Sequence, residues 1–64
     1  MDVLVTAWGM RIKFDSIETA TVEHYKSESQ VIVWLKKGGY AVADHFNTPE
    51  AAEDFCASIL KKLK

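Results

Sequence analysis

The chain has 64 residues, of which 48% are hydrophobic and 27% charged, with a formal net charge of −1. That balance argues against a strong electrostatic hold on nucleic acid or anionic lipid, and no apolar run approaches the ~20 residues that span a bilayer. Cys56 is the only cysteine, so no disulfide can form within the chain.

A chain of this length reads as one domain over residues 1–64, and it buries only ~60% of the surface its unfolded form exposes. Small domains compensate with disulfides, metals or oligomerisation. With the first excluded and the second poorly supported, self-association is the expected route. The segment Met1-Asp2-Val3-Leu4-Val5 lacks the basic stretch that opens a secretory signal, so a cytoplasmic location is expected.

Residues 3–14 read as one bent strand or two short ones. Leu4, Trp8, Met10, Ile12 and Phe14 share one parity, and Gly9 marks a bulge or bend. Asp15-Ser16 is a turn signal. Residues 17–25 are rich in β-branched and aromatic types and predict a strand. A polar turn at 26–29 follows, then the strongest strand pattern at 31–36, Val-Ile-Val-Trp-Leu-Lys. Gly38-Gly39 signals a hairpin, and residues 40–46 return as the next strand.

The last element is a helix over 49–63. Thr48 is its N-cap and Pro49 its first residue, where the missing N–H costs nothing. Glu50, Glu53 and Asp54 suit the positive end of the helix dipole, and Lys61, Lys62 and Lys64 the negative end. Ala52, Phe55, Cys56, Ile59, Leu60 and Leu63 recur at helical spacing and form one apolar stripe. The predicted fold is therefore α+β: an antiparallel meander of three to four strands within 3–46, with one C-terminal amphipathic helix on one face.

A short, even-numbered loop after residue 39 and a four-residue turn at 26–29 sort the strand residues by face. The helix side then holds Ala20, Val22, Val31, Val33, Leu35, Tyr40, Val42 and Phe46, with His24 and Asp44 as its polar members. The other side holds Thr19, Thr21, Glu23, Tyr25, Ile32, Trp34, Lys36, Ala41, Ala43 and His45. A bare sheet face should be polar, yet this one carries Trp34, Ile32 and Tyr25 beside two alanines, and large exposed apolar patches mark interaction sites.

Chemistry is sparse. His24 and His45 lack metal-ligand spacing, and each neighbouring carboxylate, Glu23 or Asp44, points to the opposite face. Cys56 lies on the apolar stripe, where a packed thiol is expected rather than a nucleophile. No loop cradles phosphate, and no motif calls for a cofactor.

The favoured function is a non-enzymatic interaction module, a homodimer or a contact with another protein. Its surface would be formed by Trp34, Ile32, Tyr25, Lys36 and His45. Pairing through open strand edges is the competing geometry for the dimer. Trp34, Tyr25 and Tyr40, with Lys36, Lys37, Arg11 and Lys13, support a second reading as a single-stranded nucleic-acid platform. A small enzyme with its site in a dimer cleft comes third, resting on His24, His45, Glu23 and Asp44.

Overall fold

The computed structural model describes residues 3–63. Met1, Asp2 and Lys64, which the sequence reading assigned to the N-terminal segment and to the helix end, lie outside the described residues. The elements are β1 (Val3–Val5), β2 (Arg11–Lys13), β3 (Ile17–His24), β4 (Ser29–Leu35), β5 (Tyr40–Phe46) and α1 (Pro49–Lys62). β1 and β2 form a two-stranded antiparallel sheet, and β3-β4-β5 form a three-stranded antiparallel meander. The N-terminal segment is thus two short strands, broken by a turn at Gly9, whose φ of 83° is readily adopted only by glycine.

Helix α1 forms where its local signals agree. The Thr48 side chain accepts a hydrogen bond from the Ala51 backbone N–H at 3.2 Å, and Pro49 opens the first turn. Ala52, Cys56 and Ile59 are buried, and the helix lies across the meander. Phe55 and Leu63 are half-buried at the margin of this stripe. Leu60 is a correction to the predicted stripe, because 37% of it stays exposed. It is one residue past Ile59, so it is rotated ~100° out of the centre of contact.

The core joins Ile17, Ala20, Val31, Val33 and Ala43 of the sheet to the helix stripe and to Leu4 and Ile12 of the N-terminal hairpin. Leu4 and Ile12 are paired across that hairpin, and their chain neighbours Val3, Val5, Arg11 and Lys13 face out.

The β3–β4 turn has the expected four residues, but they are 25–28. The Tyr25 backbone N–H donates to the Glu28 carbonyl at 2.8 Å. Ala20 therefore lies opposite Val33 and Val22 opposite Val31, with the predicted parity. The β4–β5 register departs from the expectation. Trp34 lies opposite Tyr40, Val33 opposite Ala41 and Ile32 opposite Val42.

Residues 35–39 therefore make an odd-numbered connection, in which Gly38 and Gly39 adopt φ of 104° and 82°. Tyr40 and Val42 consequently lie on the side away from the helix, while Ala41 and Ala43 pack toward the core. A bulge between the Ile32–Val42 and Val31–Asp44 pairs then shifts the register by one. It returns Asp44 and Phe46 to the helix side and leaves His45 on the other. The odd loop inverts the expected faces over Tyr40–Ala43, and the bulge restores them from Asp44 onward.

Candidate interaction surface

The sheet face away from α1 is built from the second half of β4 and the first half of β5. Trp34 and Tyr40 are cross-strand partners whose rings lie 5.3 Å apart, tilted by 47°. The Trp34 indole N–H donates to Thr21 Oγ1 on β3 at 2.9 Å, which holds the ring over the sheet.

Two further apolar side chains arrive from the β1–β2 turn. Thr6 is buried there and organises the turn. Its backbone N–H donates to the Met10 carbonyl at 2.9 Å, and its hydroxyl oxygen accepts from the Met10 and Trp8 backbone N–H groups at 3.1 and 3.3 Å. The Ala7 backbone N–H donates to the Ala43 carbonyl at 2.9 Å, docking the turn onto β5 at the bulge. Trp8 and Met10 are thereby held beside Tyr40 and Val42. Trp8 also packs on His45, with centroids 5.9 Å apart.

A shallow groove of about 370 Å³ runs between the turn and β5, lined by Thr6, Trp8, Met10, Tyr40, Ala41 and Val42. Trp8 and Tyr40 are each 61% exposed, Met10 55% and Trp34 37%. An exposed cluster of two tryptophans, a tyrosine and a methionine is unusual for a surface facing only water, because each such side chain would gain ~1.5–3 kcal/mol if fully buried.

The five residues singled out from the sequence are dispersed by the fold. Trp34 is in the cluster. Ile32 is on the same face but buried, flanked by its cross-strand partners Thr21 and Val42, so it offers no spare surface. Tyr25 is exposed at the β3–β4 turn, at the opposite end of β4 from Trp34. Its hydroxyl donates to Glu23 Oε1 at 2.9 Å, and that hydrogen bond and the carboxylate charge raise its pKa above the ordinary tyrosine value. Lys36 is exposed in the β4–β5 turn, with its backbone N–H donating to the Ser16 carbonyl. His45 borders the cluster through Trp8.

Trp8 and Met10 were absent from the sequence-based set. Placed in a continuous strand, they took the parity of Leu4 and Ile12. The signal that separates them is Gly9 between them, with Thr6 ahead as the turn-organising hydroxyl.

A second concavity, of about 630 Å³, lies at the other end of the sheet between the β3–β4 turn and the start of α1. His24 Nδ1 is 3.0 Å from Ser29 Oγ, and His24 Nε2 is 3.6 Å from Glu53 Oε2. His45 Nδ1 is 3.6 Å from Glu28 Oε1. The histidines thus meet glutamates from other elements, while Glu23 holds Tyr25 and Asp44 accepts from the His45 backbone N–H at 2.8 Å.

Ser29, His24 and Glu53 form a chain of contacts resembling a nucleophile relay. Ser29 is only 3% exposed and is among the residues that line this concavity. Among the described residues no three His, Cys, Asp or Glu side chains are grouped to hold a metal ion. Cys56 is buried, and desolvation, followed by the nearby Glu53 charge, raises its pKa above the ordinary thiol value. No helix among these residues is long and apolar enough to cross a membrane.

No family model, curated protein or solved structure matches this chain.

Proposed function

We propose that this protein is a non-enzymatic interaction module that self-associates through the sheet face bearing Trp8, Met10, Trp34 and Tyr40. The observation that carries the reading is the exposure of all four side chains on the sheet face away from α1, with Trp8, Met10 and Tyr40 lining one apolar groove and Trp34 packed on Tyr40. Tryptophan and tyrosine supply most of the energy of protein interfaces, because they are large, rigid and amphipathic. A two-fold contact would set the patch against itself, so each protomer would supply both an aromatic ridge and a groove.

The test is particle mass by light scattering for the wild type and for Trp34→Glu. On a face-to-face contact the substitution buries two like charges, and the mass should halve. An unchanged mass refutes the contact, as does a wild-type monomer at tens of micromolar.

A second reading is favoured by Lys36 and Lys37, which lie in the turn adjoining Tyr40. Aromatic rings beside basic side chains can stack bases and hold phosphates of a single strand. Retention on single-stranded DNA or RNA that weakens with salt would favour it over the protein contact.

A further inference from the structure

The two edges of the three-stranded sheet are treated differently. The β5 edge carries a bulge and receives the N-terminal turn through the Ala7–Ala43 hydrogen bond. Among the described residues, the β3 edge has no neighbour in the sheet order. Its protection is confined to its ends, with Glu18 and the bulge near Ile17 at one and Glu23 at the other, while the central Thr19–Val22 carries no charge, proline or glycine.

The Tyr25–Glu28 hydrogen bond sets which backbone groups face outward. Tyr25 bonds to Glu28, the turn residue just before β4, so by antiparallel alternation Glu23, Thr21 and Thr19 bond to β4, and the N–H and C=O groups of His24, Val22 and Ala20 point away from the sheet. We infer that the β3 edge pairs antiparallel with the β3 edge of a second copy, with Thr21 opposite Thr21 on the two-fold axis.

Three observations select this occupant and this register. Thr21 is the midpoint of 18–24, so the register overlaps the whole regular strand and sets the outward groups of Ala20 and Val22 against each other. It also sets Glu23 against Thr19 and Glu18 against His24, so no carboxylate meets another carboxylate, and a threonine pair lies at the centre. Finally, the exposed Leu60 follows Glu53 by seven residues, on the same flank of the helix. Glu53 reaches His24 of β3, so that flank borders the open edge. Val22 of β3 is half-buried against the core on the helix side. Pairing would bring apolar Val22 and Leu60 of both copies toward the axis.

The result is a continuous six-stranded sheet, with both helices on one side and both aromatic faces on the other. Its axis is normal to the sheet, whereas the axis of the proposed face contact lies in the sheet plane. The edge pairing does not depend on the face contact. If both form about intersecting axes, four chains close into one assembly.

Cysteine crosslinking under mild oxidation tests the register. Opposed residues of a non-hydrogen-bonded antiparallel pair have Cα atoms ~4.5 Å apart, within the reach of a disulfide. Thr21→Cys should therefore crosslink to itself ~10-fold or more faster than the exposed control Ser58→Cys, because pairing raises the effective thiol concentration. Glu23→Cys alone should not, since the two sites lie ~14 Å apart along the strands. Mixed with Thr19→Cys, it should.

Val22→Pro provides the complementary test. The Val22 N–H points outward, so proline removes no bond to β4 but blocks the edge. Its far-UV spectrum should match the wild type while its particle mass halves. If it fails to fold, the crosslinking result decides. Thr21→Cys crosslinking no faster than the control overturns the inference. Repeating the measurement in Trp34→Glu separates the two contacts: crosslinking that persists there supports an edge independent of the face. A mass change in Trp34→Glu without Thr21→Cys crosslinking leaves the face contact and removes the edge.

Discussion

Replacing Ile59 by alanine measures how far the helix stripe carries the fold. Ile59 is 2% exposed and lies between Cys56 and Leu63 on the face that meets the sheet. The substitution removes three buried carbons, worth ~0.8 kcal/mol each in transfer, or about 2.4 kcal/mol. The cavity left in the core adds a further penalty, which brings the expected loss to ~3–4 kcal/mol. At ~0.05–0.15 kcal/mol per residue the whole domain has only ~3–10 kcal/mol, so a measurable fraction of the variant should be unfolded at 25 °C.

Urea denaturation at fixed protein concentration reads the effect, since the proposed self-association would make the midpoint concentration-dependent. Leu60→Ala is the matched control. It lies one residue along the same helix, and its exposed side chain should cost less than ~1 kcal/mol in the dissociated protein. Phe55→Ala, a half-buried ring packed 5.4 Å from Phe46, should fall between them. Equal midpoints for Ile59→Ala and Leu60→Ala would refute the placement of the stripe.

Cys56 should resist thiol reagents in the native protein and react promptly once denaturant is added. Its raised pKa also gives a pH dependence. Above roughly 8.5, the ordinary thiol value, the unfolded thiol ionises while the native one does not, so stability should fall as pH rises through that range toward the raised native value. Cys56→Ala should remove that part of the slope, as read by denaturation midpoints at pH 7 and pH 9.5. Thr48→Ala should lower stability by ~1 kcal/mol through loss of the bond to the Ala51 N–H, measurable in the same urea assay. Gly38→Ala should cost ~1–2 kcal/mol because its φ of 104° disfavours a side chain, with no change in particle mass.

Helix α1 was legible in the sequence almost to the residue, because its determinants are local. Thr48, Pro49, the acidic first turn and the 3.6-residue apolar spacing all act within a few residues of each other. The parity of β3 against β4 was legible too, since the polar turn between them has the expected length. The sequence by itself also determined that Cys56 is packed and that Glu23 and His24 diverge, both of which follow from periodicity.

Tertiary structure alone decided the rest. An odd connection through Gly38-Gly39 sent Tyr40 to the aromatic face and Ala41 to the core, and a bulge at Ala43 returned Asp44 and Phe46 to the helix side. Both choices follow from how β5 fits the helix and the N-terminal turn at once. Trp8 and Met10 reached the same face because Thr6 closes that turn and Ala7 docks it on Ala43, the second a contact between residues thirty-six positions apart in the chain. Local propensity carries no information about such contacts. The surface most suited to binding is therefore the part of this protein that its sequence pattern least reveals.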